Sequence, residues 1–112
     1  MDDLRQVERL AKREAVVRAT NEEIAPADDQ FAGDSSVLVI ACECGRSGCA
    51  EVIALPRSVY EQARSEPRRF LLVPGHERPG IERALSRYDR FVVVAKEDQA
   101  AAAIAEESDP RA

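Results

Sequence analysis

The chain has 112 residues and a formal net charge of −5, with an apolar fraction of 45% and an aromatic fraction of only 4%. This length and composition predict one domain with a modest, mostly aliphatic core, and exclude a strongly basic protein. No apolar run approaches the roughly 20 residues of a membrane span and no basic, apolar signal segment opens the chain, so we expect a soluble cytoplasmic protein.

The first predicted element is a helix over residues 1–25, followed by an acidic connecting loop over residues 27–36. Asp2 or Asp3 is the predicted N-cap, because a short carboxylate accepts the free amides of a first helical turn. Pro26 is predicted to end the helix, since it lacks the backbone donor that the helical ladder requires.

A narrow apolar stripe runs along this helix. Its members are Val7, Leu10, Val17 and Ile24. Glu14 and Asn21 interrupt the stripe, which makes it a weak amphipathic signal. The pattern favours packing on the chain's own sheet and leaves a dimer through the N-terminal helix as the alternative to a monomer.

Two short apolar runs, residues 37–41 and 52–55, predict a pair of β-strands. The loop between them holds every cysteine of the chain, at Cys42, Cys44 and Cys49. Three thiols within eight residues indicate a metal-binding knuckle at the tip of a hairpin. The alternatives are a redox pair with one spare thiol, and inert buried thiols.

Two glycines make such a knuckle feasible. Gly45 and Gly48 can take positive φ without a Cβ clash, which lets the loop curl and turns backbone amides toward the thiolates. Those amides lower the cost of gathering negative charge around one ion.

His76, the only histidine, follows in the turn Pro74-Gly75-His76 at the end of a predicted strand. Three thiolates and one imidazole form the Cys₃His set of a closed tetrahedral zinc site. The sequence therefore predicts one structural Zn²⁺ held by Cys42, Cys44, Cys49 and His76. The alternatives for the fourth ligand are Glu43, Glu51, Glu77 and a water molecule.

Short elements are predicted around the knuckle. In chain order they are a helix over residues 56–65, a strand over 69–73, a strand over 91–95 and a helix over 98–107. Residues 81–88 fit a short helix and a strand equally well. The predicted fold class is α+β: a small antiparallel sheet with a zinc-knuckle hairpin, packed by an N-terminal helix, one or two short helices and a C-terminal helix. The predicted organisation is a single zinc-binding domain over residues 1–112, with a knuckle and sheet core over 36–96 and the last helix within 97–107.

Two resemblances add to this interpretation. The motif Cys42-x-Cys44-Gly45-x₃-Cys49 resembles the zinc-binding post-SET segment of histone lysine methyltransferases, which implies a zinc geometry and no methyltransferase activity. Most of the chain resembles a family of small uncharacterised actinobacterial proteins, which implies no particular activity. The segments that carry this second resemblance are Asn21-Glu22-Glu23-Ile24, the knuckle, Tyr60-Glu61-x₂-Arg64-x₂-Pro67-x₂-Phe70, Pro74-Gly75-His76-Glu77, Val92-Val93-Val94-x-Lys96 and Asp109-Pro110-Arg111.

The functional prediction is a small zinc-stapled, non-enzymatic binding or regulatory module that acts on an unknown protein partner. Hydrolytic zinc motifs, a phosphate loop and a Ser/His/Asp set are all missing from the sequence. A nucleic-acid-binding protein that uses the arginines of residues 57–90 is a less favoured alternative, because stacking aromatics are few and both ends are acidic. A zinc-thiolate redox sensor is a third possibility.

Overall fold

The structure is a computed structural model that describes residues 3–32 and 37–112, with side chains described over residues 4–25 and 37–112. In chain order its elements are α1 (Asp3–Ala32), β1 (Val37–Ala41), β2 (Val52–Pro56), α2 (Arg57–Arg64), β3 (Arg69–Leu72), β4 (Glu82–Arg87), β5 (Val92–Lys96) and α3 (Gln99–Glu107). The predicted α+β class, with helices before and after antiparallel strands, is confirmed. Within the described ranges, no helix combines the length and apolar character needed to cross a bilayer.

The described strands form two small antiparallel sheets. β1 and β2 pair as a hairpin in which Ala41 lies opposite Val52, so the intervening residues form its tip. The second sheet has the order β3-β5-β4, with β5 in the middle. Just beyond β1, the Glu43 amide donates a hydrogen bond to the Leu71 carbonyl (2.9 Å), which joins the hairpin to the second sheet.

The ambiguous segment at residues 81–88 is a strand over most of its length. β4 pairs with β5 and contains an irregularity between Ala84 and Ser86. Pairing with β5 provides hydrogen-bond partners for the backbone N–H and C=O groups of this segment. Local hydrophobic periodicity could not predict this pairing, because β5 is a separate segment of the chain. With β3 on its other side, β5 is the central strand of this sheet.

The core lies between the inner face of the hairpin, α2 and the second sheet. Its largest fully buried apolar side chains are Leu38, Ile40, Ile53, Leu55, Tyr60, Phe70, Leu71, Leu72 and Val92. The core is thus mainly aliphatic, as predicted. The outer face of the hairpin is also apolar but lies in solvent, where Val37, Val39 and Val52 have half or more of their surface exposed.

The buried face of α1 differs from the predicted stripe. None of the four stripe residues is fully buried, and Ile24 is 37% exposed. The residues that α1 buries are Ala11, Glu14, Ala15, Arg18, Asn21 and Ala25. The alanines allow close approach to α3 and β1. The polar side chains can be buried because each has a partner inside the fold: Lys96 for Glu14, the Ala105 carbonyl for Arg18 and the Ala41 backbone for Asn21. Glu14 and Asn21 therefore belong to the packed face and do not interrupt it.

Arg18 shows how a charged residue is accommodated on that face. Its Nη2 donates to the Ala105 carbonyl (2.8 Å) and to Ser108 Oγ (3.2 Å) at the end of α3. Its guanidinium also lies 4.4 Å from the centroid of the Phe70 ring, a favourable cation–π distance. Arg18 thereby joins α1, α3 and the second sheet.

The end of α1 also corrects a prediction. The helix continues through Pro26 to Ala32, so the first part of the predicted loop over residues 27–36 is helical. A proline inside a helix removes one ladder donor and its ring crowds the carbonyl four residues before it, yet here the helix does not end at Pro26. Arg57 Nη1 donates to the Ala25 carbonyl (3.3 Å) in this turn. The predicted N-cap Asp2 and residues 33–36 lie outside the described residues.

Candidate metal centre

Two separate turns bring the predicted ligands to one place. In the knuckle, the Cys42 amide donates to the Glu51 carbonyl (3.0 Å), which extends the hairpin by one step beyond its last strand pair. The Cys49 amide closes a tight turn on the Arg46 carbonyl (3.1 Å). His76 arrives from the second sheet, in a turn after β3 that its amide closes on the Val73 carbonyl (3.0 Å).

The four predicted ligands form one cluster. The ligand atoms of Cys42, Cys44, Cys49 and His76 all lie within 4.8 Å of one another. His76 Nδ1 is 3.6 Å from the Cys42 sulfur and 3.8 Å from the Cys49 sulfur. A tetrahedral zinc with ordinary bond lengths places such atoms about 3.6 Å apart. The cluster could therefore hold a metal ion, with Nδ1 as the imidazole ligand.

The environment of the thiols disfavours free thiolates. Burial raises the pKa of the Cys42 thiol to about 12 and also raises that of Cys44. Two backbone amides work in the opposite direction, because Val73 N donates to the Cys42 sulfur (3.2 Å) and Arg46 N to the Cys44 sulfur (3.5 Å). These amides would stabilise thiolates at Cys42 and Cys44, and a metal ion would supply the remaining positive charge.

The carboxylates considered for the fourth position lie elsewhere. Glu77 accepts hydrogen bonds from Arg87 Nη1 and from the Gly75 amide, each at 2.8 Å, and Arg87 lowers the pKa of its carboxyl. Glu51 is exposed and Glu43 is fully buried. None of the three belongs to the Cys₃His cluster.

Glu43 has a structural position that the sequence analysis missed. Its carboxylate pairs with Arg64 (2.7 Å) and accepts hydrogen bonds from Asn21 Nδ2 (2.8 Å) and the Leu71 amide (3.0 Å). Alternate side chains of an extended chain face opposite sides. The burial of Glu43 could have been predicted from this rule, because a residue between two cysteines that face the metal site should point the opposite way, into the core.

A second buried charge network supports the knuckle from the other side. Lys96 Nζ lies 2.6 Å from a carboxylate oxygen of Glu14 and also pairs with Glu82. Burial raises the pKa of Glu14 to about 7, although Lys96 opposes that shift. Arg78 Nη1 lies 3.5 Å from Glu14 and donates to the Cys44 carbonyl (3.0 Å), so this network reaches the knuckle backbone.

The two knuckle glycines differ in what surrounds them, which yields a testable prediction. Both have the predicted positive φ, 71° at Gly45 and 82° at Gly48. A Cβ at Gly45 would lie 2.8 Å from Glu14 Cγ, whereas one at Gly48 would meet nothing within 4 Å. We expect Gly48→Ala to cost about 1 kcal/mol in backbone strain, and Gly45→Ala to cost clearly more.

Urea unfolding of the two metal-loaded variants, with metal content measured in parallel, checks this difference. Equal losses of stability would show that α1 does not pack against the knuckle as closely as the structure indicates.

Comparisons of this chain with protein-family models, with curated proteins and with solved structures found no match. The resemblances to a post-SET segment and to an actinobacterial family therefore stay predictions. The fold and site define a small α+β protein with a Cys₃His cluster that could hold a metal ion. The function has to be argued from that cluster and from the surface around it.

Proposed function

We propose that this chain is a zinc-stapled, non-enzymatic binding module that acts on a protein partner. The observation that supports it most is the convergence of four sulfur and nitrogen ligands, from a hairpin tip and a separate turn, on one point. Zinc fits this donor set because it accepts thiolate and imidazole together and prefers a tetrahedron. One ion would tie the hairpin to the second sheet.

The number and type of ligands support a structural role for the metal. A catalytic zinc keeps one coordination position open for water or substrate, whereas a Cys₃His set fills all four. The neighbouring carboxylates that could act as a general base are engaged in ion pairs, Glu77 with Arg87 and Glu43 with Arg64. A thiolate-rich zinc is also a weak Lewis acid.

The ion pairs of the arginines in residues 57–90 count against the nucleic-acid alternative. Several of them pair with carboxylates of the same chain: Arg64 with Glu43, Arg68 with Glu106, Arg78 with Glu14, Arg83 with Glu97 and Arg87 with Glu77. Paired arginines are less available to neutralise phosphates, on which non-specific nucleic-acid affinity depends.

Thiol accessibility limits the redox alternative. Cys42 and Cys44 are buried, and only Cys49 is partly exposed. An oxidant would therefore reach the cluster mainly at Cys49.

The role of His76 can be tested with cobalt. We expect wild-type protein to bind one metal per chain, and its Co²⁺ form to show the strong visible absorption of a four-coordinate thiolate site. In His76→Ala, water would replace the imidazole, so the band should shift and zinc affinity should fall by roughly 10–100-fold or more.

Glu77→Gln is the matched control, because it changes the adjacent residue of the same turn and removes no ligand of the cluster. Its spectrum should match that of the wild type. Identical spectra for wild type and His76→Ala would exclude His76 as a ligand and would favour an open, potentially catalytic site.

A further inference from the structure

Two grooves flank the N-terminal half of α1 and meet at Arg13. The first, about 710 Å³, lies between α1 and the segment before β4, and the second, about 340 Å³, lies between α1 and the knuckle. Their apolar lining residues include Val7, Leu10, Val16, Val17 and Ile81. Their arginines are Arg9, Arg13, Arg46 and Arg78. Arg13 lines both, and we call the two grooves together the arginine groove.

The charge of the arginine groove is opposite to that of the chain. The chain carries −5 overall, yet the lining contains four arginines and no Asp or Glu. Over the described side chains, no ion pair is found for Arg9, Arg13 or Arg46, and all three are exposed. These cations face solvent beside an apolar surface, where a partner's carboxylates would be only partly screened.

We propose that the arginine groove binds an acidic, amphipathic segment of a partner protein. Apolar side chains of that segment would cover the aliphatic lining, and its carboxylates would pair with the arginines at the rim. The α1 residues of the groove run from Gln6 to Val17, a length of about 16 Å, or three turns of a docked helix. This inference rests on the proposed function and specifies the partner's chemistry.

The composition of the groove argues for this occupant over other anions. A nucleic acid could use the arginines, but the lining offers no aromatic ring on which a base could stack. An anionic membrane surface would need several apolar side chains that protrude, whereas Leu10, Val17 and Ile81 are partly buried and Val16 alone of the apolar lining residues named above is exposed. An acidic amphipathic helix uses both the charge and the aliphatic surface.

The metal centre would shape one wall of this groove. Cys42, Gly45, Arg46 and Cys49 of the knuckle line its second half. A metal that holds the knuckle against α1 would thus keep the groove in a binding-competent form. Loss of the metal should therefore also weaken partner binding.

A random peptide display library, with peptides of about 16 residues, tests the proposal on the full-length, metal-loaded chain. We expect enriched peptides to be acidic and to carry apolar residues at helical spacing. For a selected peptide, the triple variant Arg9→Glu/Arg13→Glu/Arg46→Glu should lower affinity by about tenfold or more.

The control is Arg68→Glu/Arg83→Glu/Arg87→Glu, which makes the same charge change at three exposed arginines that line neither groove and that pair with carboxylates of this chain. It should leave affinity within about twofold, because none of the three lines the groove and exposed charges that do not contact the peptide are screened by salt. Native mass spectrometry of each variant should show that the metal is retained.

Several results would overturn the proposal. These are enrichment of neutral or basic peptides, no enrichment at all, or equal losses in the two triple variants. Peptides that lose binding in Val39→Ser/Val52→Ser would instead place the interface on the uncharged outer face of the hairpin. That result would refute the arginine groove and leave a binding module intact, whereas a metal-free, folded wild-type chain would refute the zinc staple itself.

Discussion

Removal of the metal should unfold most of this protein. Structural zinc contributes on the order of 10 kcal/mol in small zinc modules at neutral pH, and domains of this size have only about 5–15 kcal/mol of total stability. The contribution is large here because the ion would join two separate segments, and because Cys42 and Cys44 belong to the hydrophobic core cluster. We expect chelation, or Cys44→Ser, to lower the melting temperature by about 20 °C or more.

Circular dichroism during heating, together with metal analysis of the same sample, measures this effect. Ser47→Ala is the matched control, because it truncates an exposed side chain of the same loop and removes no ligand. Its melting temperature should stay close to that of the wild type. A melting curve that is unchanged after verified metal removal would show that the core is stable alone.

Glu43→Ala should be the most damaging substitution outside the four ligands. The change leaves Arg64 buried without its carboxylate, and breaking such a pair costs about 3–5 kcal/mol. It also removes the acceptor for Asn21 and for the Leu71 amide, which together join α1 and β3 to the knuckle. We therefore expect a lower free energy of unfolding and a lower affinity for the metal ion.

Urea unfolding of metal-loaded protein measures the loss. Glu51→Ala is the control, because it truncates an exposed glutamate of the same loop and should cost within about 0.5 kcal/mol. The double variant Glu43→Leu/Arg64→Met should recover the part of the loss that comes from the unpaired Arg64, since apolar side chains can replace a buried ion pair at little cost, but not the part that comes from Asn21 and the Leu71 amide. Equal losses for Glu43→Ala and Glu51→Ala would contradict a structural role for the pair.

The local elements were largely predictable from sequence. The strand at residues 37–41 matches β1 residue for residue, and Asp98 caps α3 through a hydrogen bond from the Ala101 amide (3.0 Å). These signals are short-range: a run of β-branched residues, or a carboxylate before an alanine-rich stretch. The positive φ of Gly45 and Gly48 was predictable for the same reason.

The packing of α1 was not predictable in this way. The apolar stripe suggested a buried face through Val17 and Ile24, but the face that packs carries Glu14, Arg18 and Asn21. Hydrophobic periodicity treats a charged residue as exposed, and that assumption fails when a partner is available inside the fold. Arg18 donates a hydrogen bond to the Ala105 carbonyl, 87 residues away in the sequence, and no local sequence pattern could predict that contact.

The sequence by itself determined which groups could bind a metal. Three thiols in one loop and a single histidine define a ligand set by their chemistry, whatever path the chain takes between them. Only the tertiary structure decided that His76 lies beside the cysteines, that Glu43 turns into the core, and that exposed arginines line a groove beside the knuckle. The physical reason is that burial and charge pairing depend on contacts between distant segments, whereas ligand identity belongs to each residue alone.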